Sequence, residues 1–122
     1  MDKNPNERAR ALHSKIKDPR KRRSTTTAVG QTQERISIVG TSDRYLRKEI
    51  REAMNEDEIV APSVEGKHAE QNVMAEAEQQ QLTVTDIGAS RPVCADCEAV
   101  IKAKGIRSWS PFSGKKSKKR KA

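Results

Sequence analysis

Aromatic side chains are nearly missing from this chain: one Trp, one Tyr and one Phe in 122 residues, or 2%. With hydrophobic residues at only 33%, any core must be small and aliphatic, and there is room for one domain. No apolar run approaches the length needed to cross a bilayer, and residues 1–17 lack the apolar block of a secretory signal. Any export is therefore expected to rely on a longer polypeptide or a dedicated machine. Cysteine is just as scarce. Cys94 and Cys97 stand three apart on one segment, a spacing of metal or redox chemistry more than of a structural disulfide, and nothing demands an oxidising compartment.

Basic charge is what the chain has in excess, at a formal +8. Of its 25 Lys and Arg, ten lie in two runs, Arg20-Lys21-Arg22-Arg23 and residues 115–122. The other 15 face 17 Asp and Glu, leaving the remainder at −2. Two concentrated runs suit salt-sensitive, sequence-independent phosphate contacts. The plain alternative is a solvated linker and a solubilising tail.

Apolar periodicity predicts an order (α)-β-β-α-α-β-α-β. A short peripheral helix is expected from Glu7 to Ile16, followed by a flexible link. Strands are expected over Ser24–Gln31 and Arg35–Gly40, with Gly30 to Gln33 making the turn between them. A helix capped by Ser42 or Asp43 carries Leu46, Ile50, Ala53 and Met54, and Asn55 to Lys67 reads as loop. Helices over His68–Gln80 and Cys94–Lys104 flank a strand, Leu82–Ile87, and a loop from Gly88 to Val93. Ile106 to Trp109 closes the series. Strands joined by helical crossovers favour an α/β sheet with helices on both faces.

Both cysteines and one of the two histidines fall in a single pattern, His68-Ala69-Glu70 followed by Cys94-Ala95-Asp96-Cys97. Three zinc-binding side chains leave one tetrahedral position open, which separates a catalytic zinc from a closed structural one. Hydrolytic attack on a ring carbon at neutral pH needs a strong nucleophile. Zinc lowers the pKa of bound water from roughly 15.7 to about 9 on the aqueous ion, and further in a tuned site. Cys94 and Cys97, at i and i+3 of a helix start, share one face there, where the helix dipole favours thiolates. Glu70 could move the protons. In a regular helix i and i+2 point nearly opposite ways, so His68 and Glu70 reach one site only at a first turn. A closed structural zinc, recruiting His13 or a carboxylate, and a redox Cys pair are the competing readings.

On these residues the stretch from about Ser24 to Phe112 resembles the cytidine deaminase-like superfamily, and more narrowly the deaminase domains of bacterial polymorphic toxins. The likeness rests on Gly66-Lys67-His68-Ala69-Glu70 and Ser90-Arg91-Pro92-Val93-Cys94-Ala95-Asp96-Cys97. Thr26-Thr27-Ala28-Val29 and Val39-Gly40-Thr41-Ser42 match more loosely. The H-x-E…C-x-x-C order is that of zinc nucleobase deaminases, in which the Glu is general acid/base and no ligand. The resemblance implies a three-layer α-β-α fold, with a mixed sheet of about four to five strands and helices on both faces. It implies one Zn2+ on His68, Cys94 and Cys97, Glu70 as proton shuttle, and substrate contacts from Ala69, Ser90, Arg91 and Pro92. Val93 stands between Pro92 and the first Cys, where the common motif has Pro immediately before it. The expected division is a basic helix and linker over 1–23, the deaminase domain over 24–114 and a disordered basic tail over 115–122.

The second strand carries no Asn of the kind that nucleoside deaminases use for the ribose, which turns the expectation toward a polynucleotide. A base within one must be single-stranded or flipped out. Related polynucleotide deaminases place a base-reading loop after the last strand, so Trp109 and Phe112 are expected to stack on bases, unless they fill the core. Lys67, Lys115 and Lys116, with Arg91, are the expected phosphate contacts. The leading expectation is a monomeric cytosine deaminase toxin acting on DNA. It would be a secreted or delivered effector working in the target-cell cytoplasm, with a cognate immunity protein, a larger delivery polypeptide and no membrane partner. An RNA or adenine deaminase, and a non-catalytic zinc module that binds nucleic acid, are the alternatives.

Overall fold

Ala28 and Val29 must face opposite ways if both are to be buried, and so must Ile38 and Val39; a strand covered on both faces satisfies this. In the computed structural model, which describes residues 4–115, these stretches form β1 (Thr27–Thr32) and β2 (Ser37–Thr41). They pair antiparallel with Val29 opposite Val39. Arg35, at φ 67°, makes the turn, and Thr32 Oγ1 donates to the Ile36 carbonyl at 2.6 Å. With β3 (Glu58–Val60), β4 (Val84–Ala89) and β5 (Arg107–Ser108) they build one mixed sheet in the order β3-β2-β1-β4-β5. β1 is antiparallel to both neighbours, whereas β2 pairs parallel with β3 and β4 with β5. Four strands therefore point one way and β1 alone the other.

Five helices complete the fold: α1 (Pro5–His13), α2 (Pro19–Ser24), α3 (Lys48–Ala53), α4 (Ala69–Gln80) and α5 (Ala95–Ala103). On one face of the sheet Ala28, Ile38 and Ile87 meet Val73 and Ala77 of α4 and Ile101 of α5. On the other, Val29 and Val39 meet Ala9 and Leu12 of α1 and Ile50 of α3. The architecture is α/β, compatible with a three-layer fold. Among the described residues no helix is long and apolar enough to cross a membrane.

Three strand glycines explain how so few large side chains fill this core. A Cβ on Gly30 would lie 2.6 Å from Val73 Cγ1, and one on Gly40 would lie 2.8 Å from the Ala69 carbonyl oxygen. A Cβ on Gly88 would strike the Asn6 backbone at the start of α1. The layers thus approach closely enough for Ala, Val and Ile to close the gap, at the density protein interiors require. All three aromatics are left on the surface: Tyr45 is 58% exposed, Trp109 38% and Phe112 36%.

Several elements differ from expectation. The N-terminal helix, expected to be peripheral over Glu7–Ile16, runs Pro5–His13 and buries Ala9 and Leu12 completely. Asn4 caps it, accepting from the Glu7 N–H at 2.8 Å, with Pro5 at the first helical position. The expected link contains α2, where the Asp18 carboxylate accepts from the Arg20 N–H at 2.9 Å. The expected turn at Gly30–Gln33 moves on by about three residues, because Gly30 belongs to β1 under α4. α3 begins at Lys48 instead of at Ser42 or Asp43, and the expected Asn55–Lys67 loop contains β3. Gly88, expected in a loop, is inside β4. Most of the basic tail, residues 116–122, lies outside the described residues, and Lys116 with it.

Candidate metal centre

Because β2, β3, β4 and β5 run the same way, their carboxyl ends line one edge of the sheet, where open α/β sheets place their ligands. Segment 61–67 leaves β3 and delivers His68 to that edge; segment 90–93 leaves β4 and delivers Cys94. Each is the N-cap of the following helix, with extended backbone: φ −80° and ψ 159° at His68, φ −73° and ψ 165° at Cys94. This resolves the spacing problem of His68 and Glu70. An N-cap residue does not obey the helical wheel, so the two side chains need not point apart. The Gln71 side chain fixes the cap by accepting from the His68 N–H at 2.7 Å, a three-residue spacing visible in the sequence.

Cys94 and Cys97 begin the nine-residue α5, and His68 Nδ1 lies 3.3 Å from Cys94 Sγ and 3.4 Å from Cys97 Sγ. All three ligand atoms are within 4.8 Å of one another. Tetrahedral zinc, with N at about 2.05 Å and S at about 2.3 Å, holds such atoms about 3.6 Å apart. The cluster needs to open by only a few tenths of an ångström to admit the ion. His68, Cys94 and Cys97 can therefore bind a metal ion, and their donor set suits one zinc. Burial pushes the Cys97 thiol well above its ordinary pKa, and the charge of Glu70 pushes it further, followed by those of Cys94 and Asp96. A dication at this point would replace that proton.

Glu70 is the second residue of α4 and only 4% exposed. It lies in the first turn of the helix that His68 caps and its charge bears on the Cys97 thiol, though it is not one of the three donors. The other histidine serves elsewhere: His13 Nε2 donates to the Arg22 carbonyl at 2.7 Å, and Nδ1 lies 2.9 Å from Thr27 Oγ1. Sequence reasoning passed over Asn72. It is buried in the first turns of α4, and its Nδ2 donates to the Thr41 carbonyl at 3.0 Å, tying the helix to the end of β2. A polar residue four on from His68, among Ala69, Val73 and Ala77, was the available signal.

The remaining expected site residues are spread along the same edge. Ala69 is fully buried at the first position of α4, against Gly40. Ser90 exchanges bonds with Thr27: its N–H donates to the Thr27 carbonyl at 2.8 Å, and its Oγ accepts from the Thr27 N–H at 3.0 Å. Arg91 turns one guanidinium nitrogen to the carbonyls of Arg23 and Thr25, at 2.6 and 2.9 Å, which fastens the basic run to the loop before Cys94. Pro92 is exposed. Trp109 donates from Nε1 to Asp86 at 2.7 Å, under the Arg107 guanidinium at 4.2 Å from its ring centroid. Phe112 forms a parallel bridge with Val93 and lies beneath Lys102, so neither ring fills the core. Lys67 and Lys115 are exposed, and the Lys115 carbonyl accepts from the Ala95 N–H at 2.9 Å, holding the start of the tail against α5.

Comparisons with protein-family models, with curated proteins and with solved structures find no match for this chain. The chemistry of the site has to be argued from its own residues.

Proposed function

We propose that this chain is a zinc-dependent hydrolytic deaminase that converts cytosine to uracil in DNA. One observation carries the reading: a buried glutamate, Glu70, lies in the first turn of the helix that His68 caps, and His68 joins Cys94 and Cys97 in a cluster of three donors that has no fourth protein member among the described residues. A closed structural site would need a fourth donor. His13, the remaining histidine, is engaged with Thr27 and Arg22.

The three donors would hold the ion through His68 Nδ1 and the two Sγ atoms, at the meeting of two helix N-termini whose dipoles favour thiolate. Bound there, zinc would orient and acidify the attacking water. Glu70 accepts one proton of that water and delivers it to the ring nitrogen of cytosine while the water oxygen bonds to the amine-bearing carbon. Glu70 then takes the remaining hydroxyl proton and passes it to the amine, the C–N bond breaks, and cytosine plus water become uracil and ammonia. The exposed rings of Trp109 and Phe112 suit stacking on unpaired bases, and the basic run at Arg20–Arg23 suits phosphates. The same reading makes the chain a delivered antagonistic effector, cut from a larger polypeptide and acting in a target-cell cytoplasm, with a cognate immunity protein to cover the cleft.

The test joins metal content to product. Glu70→Ala should keep about one zinc per chain and lose at least about 10²-fold in uracil formation, the usual share of a general acid/base. Inosine in place of uracil would move the target base to adenine. Zinc-replete protein inactive on single-stranded DNA, duplex DNA and RNA alike would refute the proposal.

A further inference from the structure

A cleft of about 160 Å³ opens on the β2–β3 side of the edge that carries the candidate metal ligands. Its walls come from the segment after β2, from α3 and from the segment after β3, and include Arg44, Tyr45, Arg51, Val60, Pro62 and Ser63. Three features set it apart from ordinary surface. Tyr45 is the most exposed large hydrophobic side chain among the described residues, a planar face left in water beside a hollow. Arg44 and Arg51 make no ion pair among the described residues, although their neighbours Arg47 and Lys48 pair with Asp43 and Glu52. The Ser63 hydroxyl, in that wall, is shut off from solvent and has no hydrogen-bond partner among the described residues, a cost that is relieved if the wall shifts to bring it against a ligand atom.

An aromatic face, two unneutralised guanidiniums and an unsatisfied hydroxyl in one hollow are the complement of a planar base with phosphates on either side. The wall at Val60–Ser63 is joined to His68 through residues 64–67, so the cleft and the three donors share the same edge of the sheet. We infer that this cleft is a nucleotide subsite for a single-stranded polynucleotide. Tyr45 stacks on one base, Arg44 and Arg51 take its flanking phosphates, and a shift of the wall lets Ser63 bond to the base or sugar. The inference rests on the deaminase reading only for where the strand goes next.

Binding and catalysis are therefore measured separately, on the zinc-loaded full chain. Affinity for short labelled single-stranded DNA and RNA is read by fluorescence anisotropy across a salt series, with deamination followed in parallel. Tyr45→Ala should weaken binding by about ten-fold while Tyr45→Phe holds it, since the phenyl face does the stacking. Arg44→Gln combined with Arg51→Gln should flatten the slope of log affinity against log salt by about 1.4, two phosphate contacts at about 0.7 each on a single strand. The same variants should raise KM for an oligonucleotide with little change in kcat. Wild-type affinity and salt slope in these variants for both DNA and RNA, at an unchanged Tm, would overturn the subsite, as would a native chain that binds neither strand. Weakened binding by the variants, in a protein that deaminates nothing, would instead remove the deaminase reading and leave the subsite standing.

Discussion

Arg8 fastens the N-terminal helix to the strand that feeds the metal centre, and cutting that link should show how much of the site depends on it. Its Nε donates to Glu58 Oε2 at 2.8 Å, and one terminal nitrogen donates to Glu58 Oε1 at 2.7 Å and to the Ala53 carbonyl at 2.9 Å. Side-chain exposure is 19% for Arg8 and 4% for Glu58, so this is no surface pair. Burial alone would raise the Glu58 pKa, but the Arg8 hydrogen bonds, with one from the Asn55 N–H, outweigh it and hold the carboxyl below its usual range. Arg8→Leu removes the cation and leaves a buried carboxylate with only the Asn55 bond. Breaking such a pair costs about 3–5 kcal/mol, and the partial exposure of Arg8 argues for about 3. At about 4 °C per kcal/mol in a domain of this size, Tm should fall by about 12 °C. The sign with pH follows. A depressed carboxyl stabilises the native chain above the ordinary glutamate range, and that contribution is lost as pH falls through its folded value; in Arg8→Leu the same carboxyl is raised and destabilises at neutral pH. The gap between native and variant in urea unfolding should thus be widest near neutrality and narrow on acidification, and adding Glu58→Gln should recover part of it. A loss below about 1 kcal/mol, or one that ignores both pH and Glu58→Gln, would refute a buried clasp.

Two further tests address the site itself. Gly40→Ala should cost about 1–3 kcal/mol and weaken zinc retention, because the added methyl meets the Ala69 backbone at the first turn of α4; Gly30→Ala meets only a Val73 methyl, so Val73→Ala should rescue Gly30→Ala and leave Gly40→Ala uncorrected, by calorimetry and metal analysis. Cys94→Ser or Cys97→Ser should reduce zinc from about one per chain to near none by mass spectrometry. Chelation of the native chain should likewise lower stability, by about 2.7 kcal/mol if zinc had stood at a hundredfold its Kd.

The α/β class and the three metal donors were legible in the sequence, whereas the bounds and roles of several elements were not. His68, Glu70, Cys94 and Cys97 could be picked out because side-chain identity restricts metal chemistry, and all four fall at the starts of α4 and α5. What failed to show were elements whose stability is tertiary. β3 has three residues, two of them beside charged neighbours, and exists because Ile59 reaches the core and Arg8 clasps Glu58. In α1 the apolar face is little more than Ala9 and Leu12, too thin to separate a packed layer from a peripheral helix without Gly88 to let it approach the sheet. The strand glycines misled for the same reason: alone in a sequence Gly30 reads as a turn, and only a helix lying across it shows why no Cβ is tolerated.

Topology accounts for the concentration of chemistry along one edge. Four parallel-running strands send the segments after β2, β3, β4 and β5 to the same side, and the reversed β1 brings its own start, with α2 just before it, to that side as well. Tyr45 and Arg44 follow β2, His68 follows β3, Cys94 follows β4, Trp109 and Phe112 follow β5, and Arg20–Arg23 precede β1. Residues 20–23 lie in a helix whose last carbonyls are held by His13 and Arg91, which ties its backbone to the loop before Cys94. Basic residues carried on a held backbone set where a phosphate must lie. Positioning on this edge is thus expected from Arg20–Arg23 and the Tyr45 cleft.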